Sequence, residues 1–171
     1  MSVFRKVNSS KIGLANLLNA LNENKAVKIG YFENDKYEDG RSVASVAATQ
    51  ELGSPKHKIP PRPTMRPALN KNVGVVTSLV KQHLIHSIVT DSPILNVYEL
   101  VGVELESKVK EEILALTTPA LSKRTIEERR GKYLTNNLKK RLGKRQAASL
   151  SKPLIDSARM LRSVTHIVEN E

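Results

Sequence analysis

Apolar positions along this chain follow two periods, and the places where one gives way to the other mark its elements. Ile12, Leu14, Leu17, Leu18 and Leu21 recur at helical spacing behind a Ser9 or Ser10 cap, and a polar run, Asn22-Glu23-Asn24, closes that helix near Lys25. Val27 to Phe32 is rich in β-branched and aromatic residues and predicts a strand. Asn34 to Gly40 is acidic and turn-rich, a loop. Ser42 to Leu52 carries Val43, Val46 and Ala47 at helical spacing, with Gly53 as its stop. Two long helices follow on either side of the breaker Asp91-Ser92-Pro93. One runs from about Met65 to Ile88 with Leu69, Val73, Val76, Val80 and Leu84 on one face. The other runs from about Leu95 to Leu116 with Val97, Val101, Leu105, Val109 and Ile113 four residues apart. On another face of the second helix, Glu104, Lys108 and Glu112 set up two opposite-charge pairs, each worth a few tenths of a kcal/mol. Ser163 to Val168 alternates as a final strand and can pair with Val27 to Phe32, bringing both ends of the chain into one sheet. The expected fold is α+β: a small, mostly antiparallel sheet packed with several helices, two of them long, plus a basic extended excursion. It is a single domain over 1–171, with 117–151 as the excursion.

Ile59 to Leu69 interrupts both periods. Four of the eight prolines fall in these eleven residues. Proline fixes φ, lacks an N–H and pushes its predecessor toward extended backbone, so this is a stiff arm that cannot be a central strand. Thr64 is an acceptable N-cap, and Pro67 falls in a first turn whose N–H groups have no partner within the helix. Pro60, Pro61, Arg62, Pro63, Met65 and Arg66 are the candidate contact residues, with both arginines expected to project. A stiff loop tied to its own body is the competing account.

Charge changes the picture after residue 117. Lys and Arg number 28 against 17 Asp and Glu over the chain, a formal net charge of +11. Between Lys123 and Arg145 there are ten basic residues and two glutamates, an excess of eight. Thr125-Ile126-Glu127-Glu128 reads as a helix start, and Tyr133 to Gln146 is too poor in apolar residues to pack. Arg129, Arg130, Lys132, Lys139, Lys140, Arg141, Lys144 and Arg145 are candidates to touch a polyanion or a partner protein. A solvated face is the plainer reading of such a run. Aromatics make up 4% of the chain with no Trp, which disfavours base stacking on single strands.

The chemistry search returns little. The chain has no Cys, no Gly-rich phosphate loop, no His-Glu-x-x-His and no Gly-x-Ser-x-Gly. His83 and His86 are three apart on a helix without a carboxylate at matching spacing, so two exposed histidines is the better reading than a metal site. No apolar stretch reaches the length of a membrane span and no signal-peptide region opens the chain. A soluble protein with no enzymatic activity, cofactor or metal is expected.

Three blocks together resemble one family. They are Val27-Lys28-Ile29-Gly30-Tyr31-Phe32-Glu33 with Val43 to Gly53; the proline arm; and Pro119-Ala120-Leu121-Ser122 with Thr125-Ile126, then Lys152 to Ser157 and Leu161 to Val164. In that order they look like the tail-completion or neck proteins of tailed bacteriophages, also labelled minor capsid or virion morphogenesis proteins. The resemblance implies a non-enzymatic structural protein of the virion, located in the tail or neck and assembled in the host cytoplasm. It implies a homo-oligomer, usually a hexameric ring, around the DNA channel at the head–tail junction. Its partners would be the tail tube or tail terminator protein on one side and head–tail connector or portal-side proteins on the other. Non-specific contact with packaged DNA is implied as possible, and a membrane is not. Two departures stand out: family members commonly have Gly where this chain has Ala158, and the excursion 132–150 is longer and more basic. A sequence-independent DNA- or RNA-binding accessory protein, acting through 123–145, is the alternative from another class.

Overall fold

The computed structural model of the chain describes residues 25–32, 35–90, 97–133, 151–155 and 158–170. The expected first helix over Ile12 to Leu21 lies outside the described residues. The elements in order are β1 (Lys25–Gly30), α1 (Val43–Leu52), a single 3-10 turn (Pro55–His57), α2 (Met65–Thr90), α3 (Val97–Ala115), α4 (Lys123–Tyr133), α5 (Arg159–Ser163) and β2 (Thr165–Asn170). The class is α+β, with one two-stranded antiparallel sheet and two long helices of 26 and 19 residues.

The two ends of the described chain do meet as strands. Val27 faces Val168 and Ile29 faces His166 across the ladder, so both strands sit two residues away from their expected bounds. Two strands alone are marginal in water. This pair gains a floor: α3 packs beneath both strands. Ile29, His166 and Val168 turn toward the protein while Ile167 and Glu169 face outward, where Glu169 pairs with Lys28.

The sheet is keyed onto α3 by one side chain. A Cβ added to Gly102 would lie 2.0 Å from Cδ2 of His166, so the imidazole occupies the notch that a residue without a side chain leaves on the helix. Its Nδ1 lies 3.1 Å from Glu106 and its Nε2 3.0 Å from Glu99, one helical turn on either side of the notch. Burial opposes the positive charge on this ring. Hydrogen bonds to the two carboxylates and their charges outweigh that cost and hold its pKa above the ordinary 6.5. Burial likewise works to raise Glu106, but the bonds from Lys110 and His166 prevail and its pKa is lowered.

The core lies at the other end of α3. Val109 and Ile113 pack there with Val43 and Ala47 of α1, Ala68 of α2, Leu154, Met160 of α5 and Val164. The expected stripe on α3 is the buried one: Val97, Val101, Val109 and Ile113 are all inside. The stripe on α2 holds at four of its five expected positions. Leu69, Val76, Val80 and Leu84 are half-buried, but Val73 is 61% exposed, while Ala68 and Ser87 are buried. The covered side of α2 therefore combines half-buried leucines and valines with two small, buried residues. The two helices run antiparallel, and Lys71 near the start of α2 reaches Glu112 near the end of α3 at 2.7 Å. Of the two expected pairs on α3, Glu104–Lys108 forms at 3.6 Å, while Lys108 lies 3.1 Å from Glu111 in place of Glu112.

The segment expected to be an extended excursion begins as a helix. Ser122 accepts a hydrogen bond from the N–H of Thr125 at 3.2 Å and so caps α4. The cap lies three residues before the expected start, and the helix continues to Tyr133. No helix among the described residues is long and apolar enough to cross a membrane.

Two expectations follow from the key between sheet and helix. Gly102→Ala should destabilise the fold by about 2 kcal/mol or more, because the methyl group has no room, measurable by urea unfolding. The folded state raises the pKa of His166. The stability it contributes is therefore fully present below the unfolded value near 6.5 and is lost as pH rises through the higher folded value. A plot of unfolding free energy against pH should fall across that window, and the slope should flatten in His166→Gln.

Candidate interaction surface

The proline arm is built against the end of α1. Ser42 caps that helix, its Oγ accepting from the N–H of Ser45, and Gly53 ends it with φ 76°. Only glycine adopts that backbone without strain, and here it also makes room. A Cβ at Gly53 would lie 2.9 Å from the nitrogen of Pro61. Between Gly53 and the arm the chain makes the turn Pro55–His57 and closes it by a bridge between Ser54 and Ile59. The arm then runs back along the helix end, and the N–H of Arg62 donates to the carbonyl of Gln50 at 2.6 Å.

The start of α2 is capped from a distance. Thr64 was expected to supply the cap with its own hydroxyl. It instead donates that hydroxyl to Glu51, and the Glu51 carboxylate takes the N–H groups of Thr64 at 2.6 Å, Met65 at 3.1 Å and Arg66 at 3.2 Å. A negative charge in this place satisfies donors that have no helical partner and complements the positive end of the helix dipole. Glu51 stands thirteen residues before Thr64, so no local capping signature announces it.

Arg62 does not project. It is 6% exposed and its guanidinium braces three parts of its own chain. Nε donates to the carbonyl of Pro119 at 3.1 Å, Nη1 to the side-chain oxygen of Gln50 at 3.1 Å, and Nη2 to the carbonyl of Ala120 at 3.4 Å. The expectation of an outward Arg62 is corrected: proline holds the backbone extended, and at this position the extended backbone faces the side chain inward onto α1 and the 119–120 turn. Burial and the nearby charge of Arg129 lower the pKa of Arg62 below arginine's ordinary value. Pro60, Pro61, Pro63 and Arg66 are exposed, and Met65 is half-buried beside the core. The arm thus shows three prolines and one arginine to solvent.

The basic residues divide in the same way. Arg129 turns toward its own chain, where Nη1 donates to the carbonyls of Lys152 at 2.8 Å and Ile155 at 3.2 Å. Arg130 is exposed, as are Lys123 and Arg124, and Arg124 pairs with Glu128 at 2.8 Å. Lys139, Lys140, Arg141, Lys144, Arg145 and the side chain of Lys132 lie outside the described residues, as do Glu33 and Asp156. His83 and His86 are exposed on α2, and no group of three potential metal ligands gathers among the described residues.

Apolar side chains are exposed on both long helices. On α2 they include Ile85 and Val89, 61% and 74% exposed, and on α3 Val103, 58% exposed. Helices that show apolar residues on the face away from their own core suit contact with another surface.

No protein-family model matches this chain, and no curated protein or solved structure matches it.

Arg62 and Arg66 differ in what their removal should do. Arg62→Ala strands the Gln50 oxygen and two carbonyls and should cost about 3 kcal/mol. Arg66→Ala removes an exposed side chain and should stay within about 0.5 kcal/mol of the parent. Chemical denaturation of the two single variants separates them.

Proposed function

We propose that this chain is a structural virion protein of a tailed phage. In this reading it is a tail-completion or neck component that forms a ring, usually six-fold, at the head–tail junction and joins the tail tube to the connector around the DNA channel. The observation that carries the reading is the arm. Its backbone is stiffened by three prolines and fixed to its own body through Arg62, Gln50 and Glu51, yet it shows Pro60, Pro61, Pro63 and Arg66 to solvent. A pre-ordered, exposed projection loses little entropy on docking, so more of each contact appears as affinity.

Two further features support it. Ala158 has φ 56° and ψ 12°, a left-handed backbone that favours glycine, and it is the position at which the resembled family commonly has Gly. The backbone there is what the family's residue suits, although the residue differs. The exposed apolar residues of α2 and α3 suit heterologous contacts that close by rotation. The alternative, a sequence-independent nucleic-acid binder, draws less from α4, where Arg129 is turned inward and Arg124 is paired with a glutamate.

The test is a reconstruction of the whole particle together with an arm variant. The chain should lie as a ring between head and tail. Arg66→Glu should melt within about 3 °C of the parent, yet yield tails that fail to join heads. A particle that lacks the chain, or places it away from the junction, overturns the proposal. A monomer that gains mass only with DNA, with steep salt dependence, would favour the nucleic-acid reading.

A further inference from the structure

Between the arm and α4 lies a cleft of about 630 Å³, large enough for two or three side chains. Apart from Tyr37 its ionisable lining is basic: Arg41, which pairs with Asp39 at 2.7 Å, His57, Lys58, Arg62 and Arg129, with no Asp or Glu among the described residues that line it. The remaining wall is largely apolar and includes Ile59, Leu154 and Met160.

Arg62 gives this cleft its chemistry. Its guanidinium is buried, and every acceptor it uses is neutral: two backbone carbonyls and one amide oxygen. A buried cation is ordinarily matched by an anion, because neutral acceptors satisfy its N–H groups without cancelling its charge. Arg62 also spends three of its five N–H groups on those bonds, and one remains on each terminal nitrogen. The second arginine on the wall, Arg129, adds like charge near Arg62.

We propose that this cleft is a docking site for an acidic peptide segment, whose Asp or Glu carboxylate reaches Arg62 while apolar neighbours lie against Ile59, Leu154 and Met160. The planar guanidinium matches a carboxylate in shape, and the half-apolar wall gives the flanking side chains a place that a bare anion would not use. A nucleic-acid duplex fits less well. Its phosphates stand on a wide, stiff cylinder and meet exposed cations, whereas Arg62 is 6% exposed and is reached only by a slender chain. His57 and Lys58 are exposed at the rim, where they raise the encounter rate without fixing the ligand. The proposal is independent of ring formation and of the arm's outer face, since it concerns the inner side of the arm.

The experiment uses the whole chain with 15N label and follows the Nε–H resonances of its arginines. The probe is the blocked tripeptide acetyl-Leu-Glu-Leu-amide. Its Leu-Gln-Leu counterpart, inorganic phosphate and a short DNA duplex serve as comparisons. The glutamate peptide should move the Arg62 resonance saturably, with Kd about 1 mM or tighter. The glutamine peptide should bind about ten-fold more weakly or worse. Arg62→Lys assigns the resonance, and because that variant can fail to fold, Lys58→Asn provides the second arm. Lys58 has φ 54°, which Asn tolerates. The change should leave the melting temperature unaltered and weaken the glutamate peptide about three-fold. An unmoved Arg62 resonance at saturating glutamate peptide overturns the proposal, as does equal binding of the glutamine peptide. Tighter binding of phosphate alone would make the cleft an inorganic-anion site, and tighter binding of the duplex would make it a nucleic-acid site; either result also overturns it.

Discussion

Glu51 stands in the last turn of α1, and its carboxylate accepts the first free N–H groups of α2. Most of the architecture depends on this contact. A helix of 26 residues needs a fixed origin if its far end is to have a defined position, because a small error in angle at the start grows along its length. The contact sets that origin relative to α1, whose Val43 and Ala47 are in the core. Gly53 and the prolines serve the same geometry from the other side. The first lets the arm pass close to the helix end, and the second keep it straight once it has passed. The capping carboxylate, the stop glycine and the stiff arm thus form one joint.

Arg62 and Arg129 brace that joint to the 119–120 turn and to the segment around Lys152 and Ile155. Both use carbonyl or amide oxygens in the bonds described. A guanidinium suits such bracing because its donors point in several fixed directions, so one side chain can tie segments far apart in sequence. The cost is a buried charge, and two like charges close together increase it. A core built only for stability would pair Arg62 with a carboxylate or replace it by an apolar side chain, whereas the acceptors around Arg62 are all neutral.

The α+β class, the pairing of the terminal strands, the four-residue stripe on α3 and the bounds of α1 at Ser42 and Gly53 were legible in the sequence, because each depends on local periodicity or a local stop signal. The stripe on α2 was legible at four of its five positions, and Val73 is the exception. Leucines and valines occur on more than one side of that helix, so periodicity alone did not mark Val73 as exposed or Ala68 and Ser87 as buried. The inward turn of Arg62 was not legible either. A proline-flanked arginine looks like an exposed one until the carbonyls of Pro119 and Ala120, 57 and 58 residues away, are brought to it. Glu51 as a distant cap and His166 in the notch of Gly102 are of the same kind. One signal was present for the arm: Gly53 followed by three prolines implies a chain that doubles back closely on the helix it has just left.

The long helices raise a question that the core does not answer. The main buried cluster lies at the start of α2 and the end of α3, together with α1, Leu154, α5 and Val164, while Val97 and Val101 of α3 and Ser87 of α2 are buried toward the other end. Beyond the sheet contact, the far end of α2 continues to Thr90 with Ile85 and Val89 mostly exposed, and α3 shows Val103 near the same end. Exposed apolar residues on one helix end cost little singly, but several together favour association with another apolar surface. The ring proposed above would use this length, because the two helices carry apolar contacts away from the joint while the arm presents its own surface beside it. In the proposed ring, a stiff joint and the exposed apolar residues of the two helices would act together, because contacts on separate faces must hold a fixed angle to each other for a ring to close.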